Sequence, residues 1–121
     1  MKVLIVDDSM YMRSLIKSIL VKHGYEIIGE ASTGEQAIDL SIELEPDIIT
    51  MDNILPDMKG VDILLTLKEE GLDAKVVMVS AVGQEMVKNL AFDRGAIEYI
   101  VKPFNAIDLM NAMSRLKQVA V

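Results

Sequence analysis

The chain has no cysteine, which excludes a disulfide frame, a thiolate nucleophile and a zinc–cysteine site. Its one histidine, His23, leaves no His-Asp-Ser triad to activate Ser80. Positive charge is short: 12 Lys and Arg stand against 19 Asp and Glu, for a net charge of −7. Nucleic acid and anionic membrane both demand clustered cations, so neither is expected as a direct partner. Long apolar runs are missing too. The first, Val3-Leu4-Ile5-Val6, is too short for a spanning helix or a signal peptide and stops at Asp7-Asp8. A cytoplasmic protein is therefore the expectation. Aromatics make up only 4 %, which leaves nine methionines to fill part of the core and to offer an adaptable binding face.

Against these absences, 51 % of the 121 residues are hydrophobic, enough for the core of one domain spanning 1–121. Val3–Val6 is a continuous apolar run, hence a strand buried on both faces. Ser9 suits the N-cap of a helix carried by Met12, Leu15, Ile16, Ile19 and Leu20, with Lys22 and His23 in its last turn and Gly24 as its stop. A weaker strand over Ile27–Ala31 is more polar and so nearer a sheet edge. Ser32 with Glu35 has the pattern of a capping box before a helix over Thr33–Leu44, which Pro46 ends. The central strand runs over Asp47–Met51. A third helix follows on Val61, Leu64, Leu65 and Leu67, ending near Gly71, and a strand over Lys75–Val79 ends at Ser80. A short helix over Gln84–Phe92 carries Met86, Val87 and Leu90 as its apolar stripe. A last strand, Ile97–Val101, closes at Lys102-Pro103, and Asn105 caps a helix built on Leu109, Met110, Met113 and Leu116. Strands alternating with helices across short connections imply a parallel sheet with helices on both faces and right-handed crossovers.

In such a sheet every strand ends at the same edge, where open α/β folds bind their ligands. That edge collects Asp7 and Asp8, then Asp52, Ser80 and Lys102. Three neighbouring carboxylates repel one another unless a cation lies among them, and carboxylates with a few waters suit Mg²⁺. A lysine offers a compact positive charge to a phosphoryl oxygen, and a hydroxyl can donate to another. The set is what phosphoryl transfer to a carboxylate requires, with Asp52 as the nucleophile.

The residues Val6-Asp7-Asp8-Ser9, Met51-Asp52 with Leu55-Pro56 and Gly60, Ser80-Ala81, and Lys102-Pro103-Phe104 together resemble the receiver domain of two-component response regulators. The resemblance covers essentially the whole chain. It implies a flavodoxin-like doubly wound (βα)5 fold, with five parallel strands in the order 2-1-3-4-5. It makes Asp52 the phosphoacceptor. Asp8 and Asp52 would ligate Mg²⁺ directly, Asp7 through water, and the backbone carbonyl of Ile54 would complete the protein ligands. Ser80 and Lys102 would contact the phosphoryl group, Ser80 and Tyr99 would form the switch pair, and the Lys102-Pro103 peptide bond would be cis.

The donor implied is a histidine kinase of the chemotaxis type. A phosphoryl oxygen would draw Ser80 inward, Tyr99 would turn into the space, and the surface of the fourth helix, fifth strand and fifth helix would change shape. The chain stops soon after the last helix, so output would be docking of a monomer onto a motor-switch or adaptor protein. Met86, Met110 and Met113 flank that surface. Ser80-Ala81-Val82-Gly83-Gln84 leans towards the CheY-like chemotaxis group, with a phosphorelay intermediate as the alternative. The expectation is a phosphoacceptor and not an enzyme, although such a chain can promote its own phosphorylation from small donors and its own dephosphorylation.

Two features depart from the pattern. Asn53 stands where an apolar residue is more usual. Ile54 and Val82 flank the site where polar groups serve faster members, and an apolar pair cannot orient an attacking water, so phosphate loss is expected to be slow. Two other classes fit less well. An aspartyl-phosphate phosphatase would want a second acid at position 54. A flavin-mononucleotide binder would want a glycine- and hydroxyl-rich loop where Asp7-Asp8 stand.

Overall fold

The structure, a computed structural model, describes residues 1–119, with side chains described through Leu116. Five strands alternate with five helices: β1 (Lys2–Val6), α1 (Met10–Lys22), β2 (Glu26–Ala31), α2 (Gly34–Leu44), β3 (Ile48–Met51), α3 (Gly60–Glu69), β4 (Lys75–Ser80), α4 (Glu85–Asp93), β5 (Ala96–Val101) and α5 (Ala106–Val119). The strands form one parallel sheet in the order β2-β1-β3-β4-β5. Among the described residues no helix is long and apolar enough to cross a membrane.

Alternation along each strand sorts the core into two layers. Leu4, Val6, Ile49, Met51, Val76 and Met78 face α2, α3 and α4. Val3, Ile5, Ile48, Val77 and Val79 face α1 and α5, where they meet Ile16, Leu20, Leu109, Met113 and Leu116. The central strand β3 is buried along its whole length, as a strand covered on both faces and paired on both edges should be.

Local chemistry sets most boundaries. The Ser9 hydroxyl accepts from the Met12 amide at 3.2 Å and starts α1. Asn105 and Asp108 cap α5 reciprocally, at 2.9 and 3.2 Å. α1 and α3 stop at Gly24 and Gly71, whose φ angles of 87° and 73° suit glycine.

Three local expectations change. The cap of α2 is Thr33, whose hydroxyl accepts from the Gln36 amide at 3.1 Å, while Ser32 bonds the Gln36 side chain instead; the Ser32–Glu35 box is one residue out of register. On α3 the buried stripe is Val61, Ile63, Leu64 and Leu67, and Leu65 turns to solvent. On α4 the fully buried residue is Ala91, with Val87 of the expected stripe packed beside it, while Leu90 is exposed and Met86 is 85 % exposed.

Candidate functional site

β1 leads straight into Asp7, which is buried, and Asp8, which is exposed; β3 leads into Asp52, also buried. β1 and β3 are paired neighbours, so these acids converge, and one carboxylate oxygen from each lies within 4.8 Å of the others. Their backbone is fixed by the sheet and by α1. The Asp52 amide donates to the Val6 carbonyl at 3.0 Å, and Arg13 of α1 donates to the Asp7 carbonyl at 2.7 Å while its guanidinium pairs with Glu30.

Lys102, from the end of β5, reaches across to both buried acids, with its ammonium 2.6 Å from Asp7 and 3.2 Å from Asp52. Burial pulls the lysine towards neutrality, but the hydrogen bond to Asp7 and the charges of Asp52 and Asp7 outweigh it, leaving its pKa above the ordinary value. Burial pushes the Asp52 carboxyl above its usual range; Lys102 opposes this and the Asp7 charge adds to it. One ammonium thus pairs with two of the three carboxylates. Asp8 has no hydrogen-bond or ion-pair partner among the described residues.

That donor set fits Mg²⁺: hard oxygens, an excess of negative charge, and an exposed carboxylate without a competing partner. Asp7, Asp8 and Asp52 would hold the ion, with the Ile54 backbone carbonyl as the further ligand that the family resemblance implies. When bound, Mg²⁺ would offset negative charge on both the acids and a phosphoryl group.

Ser80 ends β4 and is fully buried; its hydroxyl accepts from the Val82 amide at 3.2 Å. The Lys102 amide donates to the Ser80 carbonyl at 2.9 Å, so the two polar residues share one local frame, and the Lys102-Pro103 peptide bond is cis. Tyr99 lies on β5 beside Met78. Its ring turns to the β4–α4 loop, where the hydroxyl donates to the Val82 carbonyl, and burial raises its pKa. The Lys88 ammonium sits 6.0 Å from the ring centroid.

Three residues that shape the acceptor loop carry no role in the sequence reading. Asn53 is buried, and its side-chain oxygen accepts from the Val61 amide at 3.1 Å. Gly60 lies so close to Asp52 that an added Cβ would meet the Asp52 carbonyl oxygen, with the Asn53 Cα at 3.0 Å. Asp57 accepts from the Gly34 and Glu35 amides at 2.7 and 3.0 Å, which caps α2 from outside and holds its carboxyl below the usual range. For Asn53 a signal was present: Lys59, a poor N-cap, precedes α3, so the cap had to come from elsewhere. For Asp57 there was none, since its partners lie 22 and 23 residues away in sequence.

The sequence matches the family described as "Response regulator receiver domain" over residues 3–114. It is 41 % identical to the chemotaxis protein CheY of Bacillus subtilis, over 94 % of this chain and 95 % of that protein. Against the CheY of Halobacterium salinarum the identity is 37 %, over 93 % of each. The fold superposes on a chain of the CheX–CheY–BeF3–Mg²⁺ complex from Borrelia burgdorferi with a TM-score of 0.92 and 32 % identity, covering 95 % of this chain and 87 % of that one. An acid cluster at the carboxyl end of a 2-1-3-4-5 sheet, in a sequence matched along nearly its full length, leaves one assignment: the chain belongs to the response regulator receiver domain family.

Proposed function

We propose that this receiver takes a phosphoryl group on Asp52 from a histidine kinase and acts in the control of chemotaxis or motility. The observation that carries the proposal is the convergence of Asp7, Asp8 and Asp52 around a common point, with Lys102 bonded to two of them.

In the transfer, a carboxylate oxygen of Asp52 forms a bond to phosphorus as the P–N bond of the donor phosphohistidine breaks. The imidazole nitrogen keeps the electron pair of the broken bond. Asp7, Asp8, Asp52 and the Ile54 carbonyl would hold Mg²⁺ beside the reacting group. Lys102 would exchange its carboxylate contacts for a phosphoryl oxygen, and the Ser80 hydroxyl would donate to another. A carboxylate nucleophile, unlike a hydroxyl, has no proton to give up as the new bond forms, and the Lys102 ammonium 3.2 Å away favours the charged form of Asp52. The chain's catalytic contribution is placement: it promotes its own phosphorylation from small phosphodonors and its own dephosphorylation, and turns over no separate substrate.

Output would run through Ser80 and Tyr99 to the face made by α4, β5 and α5, where a motor-switch or adaptor protein docks on the monomer in the cytoplasm. Met86 and Met110 stand on the helices of that face, and Met86 is largely exposed. Met113 is fully buried and belongs to the core.

Incubation with Mg²⁺ and acetyl phosphate tests the chemistry. A mass gain by one phosphoryl group is expected in the parent and none in Asp52→Asn. Equal labelling of the two proteins would remove Asp52 as the acceptor.

A further inference from the structure

α3 begins without a capping side chain of its own. Its N-cap residue is Lys59, which makes no side-chain cap hydrogen bond. The first amides of a helix need partners, and an unpartnered buried one is costly. Here both are supplied by one residue on the far side of the loop. The Asn53 carbonyl accepts from the Gly60 amide at 2.8 Å, and the Asn53 side-chain oxygen accepts from the Val61 amide at 3.1 Å. Asn53 is only 4 % exposed, so water is a poor substitute.

This residue lies directly between Asp52 and Ile54. The Ile54 amide donates to the Asp52 carboxylate at 3.3 Å, and Ile54 pairs with Lys59 as an isolated antiparallel bridge. The loop is therefore closed on itself next to the acid cluster, and its far end is held on α2 by Asp57. We propose that Asn53 is a positioning residue for the acid cluster: by capping α3 from across the loop it fixes the backbone that carries Asp52 and Ile54. The inference rests on the Mg²⁺-dependent receiver chemistry given above and adds to it the residue that holds the acceptor loop in register.

An ordinary structural cap would stabilise the fold and leave the affinity for a cation untouched. A positioning residue changes that affinity, because groups that orient ligands without touching the ion typically matter by 10- to 100-fold. The test is Mg²⁺ titration of the whole chain, followed by calorimetry and by amide resonances, with hydrogen exchange at the Val61 amide as a second readout. Asn53→Ala is expected to weaken Mg²⁺ binding on the order of tenfold and to speed exchange at Val61. Asn53→Asp keeps an acceptor and is expected to restore the protection of Val61. Leu20→Ala, in the opposite core layer and at the far end of α1, should lower the melting temperature yet leave Mg²⁺ affinity within about twofold. If Asn53→Ala fails to fold, Asn53→Ser takes its place, since the shorter hydroxyl leaves the Val61 amide a weaker partner. Should the parent bind Mg²⁺ while the position-53 variant binds it equally well, the positioning role is overturned and the receiver chemistry stands. A parent that binds no Mg²⁺ would overturn both.

Discussion

Replacing Gly60 by alanine gives a prediction whose sign is decided by the structure. Gly60 is the first residue of α3, and its φ is not positive, so backbone conformation does not demand glycine there. On helix propensity alone, Gly60→Ala should stabilise the protein by about 0.5–1 kcal/mol. Packing says the reverse. The new Cβ would lie 3.0 Å from the Asn53 Cα and 3.1 Å from the Asp52 carbonyl carbon, and closer still to the Asp52 oxygen. These are backbone atoms that cannot rotate aside. To reach ordinary contact, α3 would have to withdraw from the loop by about 1 Å. The Gly60–Asn53 and Val61–Asn53 hydrogen bonds, now 2.8 and 3.1 Å, would then both exceed bonding distance. Losing two bonds and leaving a buried amide without a partner costs about 2–5 kcal/mol. For a chain of this length that is a fall in melting temperature on the order of 10 °C. Urea unfolding of the two proteins, with a Mg²⁺ titration alongside, measures it. Unchanged or increased stability in Gly60→Ala would refute the claim that the loop and α3 are in contact as described.

Three further outcomes follow from the same contacts. Asp57 is held below its ordinary carboxyl pKa of 3.8 by two amides of α2, so it stabilises the fold fully above that value and stops doing so as pH falls through its lowered one; the stability gap between the parent and Asp57→Asn should close on acidification below pH 4, as followed by thermal melts. Lys102→Met leaves Asp7 and Asp52 buried without a cation, which should destabilise the Mg²⁺-free protein by about 3–5 kcal/mol, with Mg²⁺ recovering part of the loss in denaturant titrations; a Mg²⁺-independent loss would contradict a shared site. Ile54→Asn places a polar side chain at an exposed position beside Asp52 and should hasten the decay of the phosphorylated form, measured by loss of label; identical decay would remove the account of slow turnover.

The alternation of apolar strands and amphipathic helices was enough to fix the fold class, because period and spacing are local properties of the chain. The cluster of Asp7, Asp8, Asp52 and Lys102 was legible for a related reason: in a parallel sheet, strand ends share an edge whatever the details of packing. What escaped was tertiary. Leu65 has the right chemistry for the core, but α3 is apolar on more than one face, and Ile63, Leu64 and Leu67 are the residues it buries instead. Of the apolar stripe read on α4, Val87 packs against the core, while Met86 and Leu90 are exposed and the fully buried position is the smaller Ala91. Asp57 drew no reading at all, and it completes a helix that begins 22 positions earlier in sequence.

β3 is hemmed in from four directions, with β1 and β4 at its sides and a helical layer above and below. A strand so confined has nowhere to slide when chemistry occurs at its tip. A change at Asp52 would have to be exported sideways, through short loops and individual side chains at the rim. A protein that senses the change would then have to respond to displacements of a few atoms rather than to a moving domain.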